Sequence, residues 1–128
     1  MQPVVAVSAI CVHEGALLMV RRASGPYAGR WTLPGGKVEP GERLADAVRR
    51  EVREETSLEV EPGDVAAVRE VIGDGHHFVI VVHHARPDGG RVTPGDDASE
   101  AAWWPLGQVD GLPTTDGLVP LLRAAGIV

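Results

Sequence analysis

Residues 36–58 read Gly36-Lys37-Val38-Glu39-Pro40-Gly41-Glu42-Arg43-Leu44-Ala45-Asp46-Ala47-Val48-Arg49-Arg50-Glu51-Val52-Arg53-Glu54-Glu55-Thr56-Ser57-Leu58. The clearest helical segment of the chain, 43–56, lies inside this stretch, entered from Gly41-Glu42 and free of Pro and Gly. On a wheel advancing about 100° per residue, Leu44, Ala47, Val48 and Val52 form one apolar stripe. Glu51 and Glu55 project into the middle of that stripe near its C-terminal end, and Glu54 lies at one edge. An ordinary surface helix puts its carboxylates on the opposite side. Failures of binary pattern of this kind mark functional positions.

The failure is also energetic. Glu51 and Glu55 are i,i+4 neighbours and Glu51 and Glu54 are i,i+3 neighbours, so their like charges repel. Desolvation on an apolar face raises that cost, and carboxylates near a helix C-terminus oppose the macrodipole. A hard divalent cation would relieve all three penalties, because Mg²⁺ prefers oxygen ligands and shares its shell with substrate phosphates. A solvated acidic helix end neutralised by Arg49, Arg50 and Arg53 would relieve them too. From the helix alone both readings stand.

Outward from this segment the pattern is mixed. Residues 4–12 and 16–21 are rich in Val, Ile and Leu and flank His13-Glu14-Gly15, which predicts a β-hairpin. Residues 23–30 are loop by composition, and Trp31 to Gly36 form a short extended piece ending in a breaker triplet. After the helix, Pro62-Gly63 reads as a break. Residues 65–72 and 78–83 read as strands, the second almost wholly apolar and so central. Residues 86–97 read as turn and loop, Ala101 to Leu106 as a short strand. Residues 117–125 read as a terminal helix closed by Gly126, with Pro120 in its first turn, where its missing N–H costs little. This order predicts an α/β (α+β) fold in which a mixed sheet is sandwiched by helices, built as one domain over 1–128.

The composition bounds the function. With 128 residues and 44% hydrophobic content the chain can bury a core. A formal net charge of -6 argues against a broad nucleic-acid face. That excess is at odds with a polyphosphate ligand unless a bound cation reverses the local sign. The one cysteine, Cys11, forms no intrachain disulfide and sits in an apolar run, as a small buried hydrophobe does. No apolar run is long enough to span a bilayer and no signal peptide is evident, so a cytoplasmic location is expected. The pairs His76-His77 and His83-His84 cannot each chelate one zinc ion side by side, because adjacent strand residues face opposite ways.

The stretch 36–58 resembles the Nudix box, G-x5-E-x7-R-E-U-x-E-E-x-G-U, with U a bulky aliphatic residue. Gly36, Glu42, Arg50, Glu51, Val52, Glu54, Glu55 and Leu58 fill their positions without insertion or deletion. Only the last Gly departs, replaced by Ser57. That Gly supplies a left-handed turn at the helix end, which Ser adopts at a cost of very roughly 1 kcal/mol. The resemblance covers under a fifth of the chain, but its flanks agree: a hairpin, then Trp31-x-Leu33-Pro34-Gly35, then strands and a C-terminal helix. It implies the Nudix α/β/α sandwich, with the box as loop-helix-loop.

The resemblance also implies a Mg²⁺-dependent hydrolase, with Mn²⁺ as a substitute, that cuts a phosphoanhydride bond of a nucleoside diphosphate linked to a second moiety. Glu51, Glu54 and Glu55 are then the metal ligands and catalytic acids, with Gly36 beside the metal and Glu51 the favoured base. Arg50 would orient Glu51 or a neighbouring acid. Glu42 is open between a further cation and the helix N-terminus. Gly35 and Gly36 let backbone approach metal or diphosphate. Arg21, Arg22 and Arg30 precede the box and either meet phosphates or end a solvated strand. In the tract Gly95-Asp96-Asp97-Ala98-Ser99-Glu100, Glu100 is the first candidate for a further ligand or a contact to a base edge. Trp103 and Trp104 face opposite ways on a strand, one expected in the core and the other exposed, with packing favoured over stacking on a base.

For the substrate, the stretch from His77 through Trp104 looks most like the small bacterial Nudix members labelled ADP-ribose pyrophosphatases, although neither Pro62 nor Pro87 matches the extra proline that some ADP-ribose enzymes carry. The alternatives are a nucleoside triphosphate pyrophosphohydrolase and a nucleotide-sensing module without catalysis. The second of these is expected to lose box carboxylates that this chain keeps. Many relatives dimerise, so a homodimer is the implied assembly. No nucleic-acid or membrane partner is expected.

Overall fold

A computed structural model describes residues 1–25, 27–95 and 98–128. Ten elements follow one another: β1 (Val4–His13), β2 (Ala16–Arg22), β3 (Trp31–Thr32), β4 (Gly35–Lys37), α1 (Leu44–Thr56), β5 (Glu59–Gly73), β6 (His76–Gly89), β7 (Ala98–Pro105), a 3₁₀ helix (Leu106–Gly111) and α2 (Leu118–Ala124). The sheet runs β3-β2-β1-β6-β5, with β4 also paired to β1 and β7 to β2. It is mixed: β1 and β6 are parallel, from Val4 opposite Phe78 to Cys11 opposite Ala85, while the other pairs are antiparallel. The apolar strand β6 is therefore central, as its composition predicts.

Strand alternation divides the core into two layers. Val7, Ala9 and Cys11 of β1 and Leu18 of β2 pack with Ala47, Val48 and Val52 of α1 and with Leu58 and Val60. Ile10, Leu17, Met19 and Val82 face the other way, onto Val109, Leu118 and Leu122. Each face of the sheet is thus covered by a helix, which yields the α/β/α sandwich. Cys11 is fully buried, and burial pushes its thiol up to about 11. It acts as a small apolar residue.

Several boundaries differ from the sequence reading. The first hairpin turns on two residues, not three, because His13 pairs with Ala16 and both Glu14 (φ 50) and Gly15 (φ 75) adopt the left-handed region, as a tight primed turn requires. Pro62-Gly63 does not break the chain. It lies in β5, where the register shifts between Pro62 and Val65, and an edge strand tolerates a proline at such a bulge. Residues 86–89 are strand, not loop, because Glu59, Val60 and Glu61 pair with Gly89, Pro87 and Arg86. Composition alone does not reveal this, since the partner strand supplies the order. The 3₁₀ helix was likewise unforeseen. In α2, Pro120 falls in the first turn, and Gly126 (φ 75) closes the end by donating to the Arg123 carbonyl at 3.0 Å.

Candidate active site

The box begins where β4 crosses β1. At Gly35 a Cβ would collide with the Val7 carbonyl oxygen, and at Gly36 it would lie 2.5 Å from the Glu51 carboxylate. The missing side chain at Gly35 thus lets β1 approach, and the one at Gly36 lets α1 lay Glu51 against the strand. Glu55 is buried at 5% exposure, and its Oε1 accepts the Gly35 N–H at 2.6 Å. Glu51 stands one turn earlier, against Gly36. The two carboxylates break the apolar face of α1 as the wheel predicts, and they converge on adjacent residues of one strand.

Arg50 ties the cluster together. Its Nη1 donates to Glu51 Oε1 at 2.7 Å and reaches Glu54 Oε2 at 3.3 Å. Its Nε and Nη2 clasp Glu42 at 2.8 and 2.9 Å, and Nη2 also donates to the Lys37 carbonyl at 3.0 Å. This fork matches the geometry that makes Arg irreplaceable by Lys. Arg50 thus makes a charge-assisted hydrogen bond to Glu51, the contact an orienting role would use. Of its two expected roles, Glu42 does not fill that of helix cap, since the N-cap is Arg43 without a side-chain bond, and its carboxylate is occupied by Arg50 and by the Glu39 N–H at 3.1 Å. Those bonds hold its pKa at about 2.

The electrostatics separate the acids. Burial raises the pKa of Glu51, and the Arg50 guanidinium offsets part of that rise. Glu54 is more open, with 42% of its side chain exposed. The donor set is hard oxygen throughout: three carboxylates of one helix end beside a strand backbone. Mg²⁺ takes one or two carboxylates and completes its shell with water and phosphate oxygens, so this set suits it. Among the described residues no three acidic, His or Cys side chains converge tightly enough to enclose an ion by themselves. A cation sharing its shell with substrate needs no such enclosure.

Arg21, Arg30 and Glu100 have partners of their own. Arg21 donates through Nε to the Gly29 carbonyl at 2.9 Å and pairs with Glu100 at 3.6 Å across β2 and β7. Glu100 thus answers a cation on the neighbouring strand. Ser99 is the extra residue of a bulge there, since Arg21 faces Glu100 and Arg22 faces Ala98. Arg22 follows Leu18 and Val20 in strand alternation, and Leu18 packs on the α1 side. Arg30 is held by the Thr114 carbonyl and the Asp116 carboxylate, both at 3.2 Å. Of the acidic tract before β7, Asp96 and Asp97 lie outside the described residues. Trp103 and Trp104 do face opposite ways, but neither is exposed. Trp103 packs on the α1-side core, and Trp104 packs on the α2 side, edge-on to Trp31 at 5.3 Å. Sequence reasoning missed residues 90–95, which lie against the end of α1. Their only signal is a Gly- and Pro-containing composition, Gly90-Arg91-Val92-Thr93-Pro94-Gly95, that reads as loop.

Comparison with known proteins fits this geometry. A family model described as NUDIX domain matches residues 2–123. The chain belongs to the NUDIX family. Hydrolases of this family use divalent metal ions, which agrees with the oxygen donors at the end of α1. The chain is 32% identical over 120 residues to an ADP-ribose pyrophosphatase of Methanocaldococcus jannaschii, covering 88% of this chain and 68% of that protein. It is 36% identical over 97 residues to an 8-oxo-dGDP phosphatase of Homo sapiens, covering 73% of this chain but only 29% of the relative, so it spans under a third of that protein. Among solved structures, a MutT NUDIX hydrolase from Burkholderia pseudomallei superposes with a TM-score of 0.87 at 31% identity, covering 96% of this chain and 98% of the other. Among the described residues, no helix of this NUDIX chain is long and apolar enough to cross a membrane.

Proposed function

We propose that this NUDIX protein is a Mg²⁺-dependent pyrophosphohydrolase that cuts the phosphoanhydride of a nucleoside diphosphate linked to a second moiety, with ADP-ribose the first substrate to test. The observation that carries the reading is the pair Glu51 and Glu55 set against Gly36 and Gly35, with Glu54 joined to Glu51 through Arg50. Glu51, Glu54 and Glu55, together with Gly36, would hold the cation. A bound divalent ion polarises the phosphorus and stabilises the departing phosphate.

The chain's own groups supply the rest. Arg50 fixes the Glu51 carboxylate, which we assign as the base that takes a proton from the attacking water. The Gly35 N–H fixes Glu55. The bare backbone at 35–36 admits the Val7 carbonyl on one side and the Glu51 carboxylate on the other. Arg22, on the α1 side of β2, is the cation we assign to phosphate. Arg21 and Glu100, bound to each other, and Arg30, bound to Asp116, are assigned to the border of the substrate site. A cytoplasmic location and a homodimer remain part of the proposal. Light scattering of the purified protein reads the assembly.

A second reading has its own support. Likeness to the 8-oxo-dGDP phosphatase favours an oxidised purine nucleotide, as a diphosphate or triphosphate. A panel of ADP-ribose, dinucleotide polyphosphates, and ordinary and 8-oxo nucleotides, run with Mg²⁺ in heavy-oxygen water, separates the two. Mass spectrometry of the products gives both the substrate and the attacked phosphorus. AMP and ribose 5-phosphate from ADP-ribose support the first reading. Faster turnover of 8-oxo nucleotides supports the second. No Mg²⁺-dependent hydrolysis across the panel, with nucleotide binding retained, refutes both in favour of a sensing module.

A further inference from the structure

The end of α1 is gripped from outside the box. A helix leaves its last carbonyls without intrahelical partners. Here the Gly95 N–H donates to the Glu55 carbonyl at 2.9 Å and the Thr93 N–H to the Thr56 carbonyl at 2.8 Å. Gly95 lies so close that a Cβ would run into the Glu54 carbonyl oxygen. A Cβ on Gly90 would stand 2.8 Å from the Ser57 carbonyl oxygen. Between these contacts Val92 packs onto the α1-side core.

The same segment meets the one departure from the box. Ser57 adopts φ 65, the left-handed turn that the sequence reading assigns to this position. Its hydroxyl shares a hydrogen bond of 2.7 Å with the Thr93 hydroxyl. A conformation that serine disfavours is therefore held by a side chain 36 residues further along the chain.

We propose that residues 90–95 are a positioning strap for Glu54 and Glu55, and that the Ser57–Thr93 hydroxyl pair secures in this chain the turn that a box glycine adopts unaided. The strap grips the backbone of residues 54–57, the base from which both carboxylates project. Misplacement of a reacting group by about 1 Å can cost on the order of a hundredfold in rate, so a grip on this backbone bears on catalysis as well as on folding. The inference rests on the reading of Glu54 and Glu55 as holders of the cation.

The test combines Thr93→Val, Gly95→Ala, Ser57→Gly and the double variant Ser57→Gly/Thr93→Val. Each is measured three ways: amide hydrogen exchange without metal, Mn²⁺ binding by calorimetry, and steady-state rates with Mg²⁺. Thr93→Val should speed exchange of the amides of residues 57, 93 and 95 by about tenfold, a local opening below global unfolding. It should also weaken Mn²⁺ binding and lower kcat, each by about fivefold, with KM little changed. Because a direct contact is coupled, the Thr93→Val effect should shrink to under about twofold when Ser57→Gly is already present. Gly95→Ala should act in the same direction and more strongly. If Gly95→Ala does not fold, the Ser57/Thr93 cycle decides alone.

Wild-type exchange and Mn²⁺ affinity in Thr93→Val would overturn the strap. So would a lower Tm with Mn²⁺ affinity intact, since that marks a purely structural contact. If the wild-type protein binds Mn²⁺ but hydrolyses nothing while Thr93→Val still loosens the helix end and the metal, the strap stands and the assigned reaction falls.

Discussion

Replacing Arg50 by Lys keeps the charge and removes the fork. The guanidinium makes two bonds to Glu42, at 2.8 and 2.9 Å, one to Glu51 at 2.7 Å and one to the Lys37 carbonyl at 3.0 Å. An ammonium on a shorter reach satisfies one carboxylate well, so at least two charge-assisted bonds are lost. Such bonds contribute about 1.5–3 kcal/mol each when sheltered. The Arg50 side chain is 21% exposed and the Glu42 and Glu51 side chains 14% and 13%, so water replaces part of the loss. The net cost is then about 2–4 kcal/mol, which lowers Tm by about 8–15 °C for a domain of this size. Thermal unfolding by circular dichroism at pH 7, with Arg49→Lys as control, reads it directly. Arg49 makes only surface pairs with Asp46 and Glu61, and its replacement should cost under about 1 kcal/mol. A fall of less than about 3 °C for Arg50→Lys, or an equal fall in the control, would refute the assignment of Arg50 as the clasp of the box.

Other outcomes follow from the same geometry. Gly36→Ala sets a Cβ 2.5 Å from the Glu51 carboxylate, so kcat should fall about a hundredfold through misplacement while the circular dichroism spectrum is kept; wild-type turnover contradicts it. Glu54→Gln and Glu55→Gln should each abolish most turnover yet fold normally, since a glutamine oxygen still accepts the Gly35 N–H; near-normal rates in both variants count against the metal assignment. Glu42 has a folded pKa of about 2 against an ordinary 4.5, so its contribution to stability is present above pH 4.5 and lost as pH falls toward 2. Glu42→Gln should therefore flatten the acid limb of a urea-stability profile across that window, and an unchanged limb argues against the pair. Glu51 has the opposite sign, its folded pKa being raised, so it favours the fold below its ordinary 4.5 and loses that contribution as pH rises through the folded value. Glu51→Gln should thus raise metal-free stability at neutral pH, and a loss there would contradict the burial argument.

Much of this was legible before any coordinates. The spacing of Glu51, Glu54 and Glu55 on an apolar helix face is a one-dimensional signal, because helical periodicity converts sequence distance directly into direction. The hairpin and the central strand β6 are local in the same sense, while the left-handed turn at Ser57 is implied by the resemblance to the box. The missing parts depend on tertiary partners. Pro62-Gly63 and residues 86–89 look like turns until β5 and β6 are seen to pair, Pro62 with Ala85 and residues 59–61 with Gly89, Pro87 and Arg86. Glu42 and Arg50 meet across the box loop, and a wheel drawn on 43–56 does not include Glu42, which leaves it open between a further cation and the helix N-terminus. Residues 90–95 have loop composition, and their contact with α1 depends on the absence of a side chain at Gly95, which sequence shows without showing what it touches. The tryptophans illustrate the same limit. Alternation predicts opposite faces correctly, but the α1-side and α2-side cores each pack against one, half-burying it, and strand periodicity carries no information about what covers each face.

The central claim is that the acids at the end of α1 hold a divalent cation for anhydride cleavage. Anomalous diffraction from crystals grown with Mn²⁺ and a non-hydrolysable ADP-ribose analogue tests it most directly. A manganese peak about 2.0–2.3 Å from carboxylate oxygens of at least two of Glu51, Glu54 and Glu55, sharing a phosphate oxygen of the analogue, is the expected result. Ligand density with no metal beside those three residues, or manganese bound elsewhere in the chain, would contradict it.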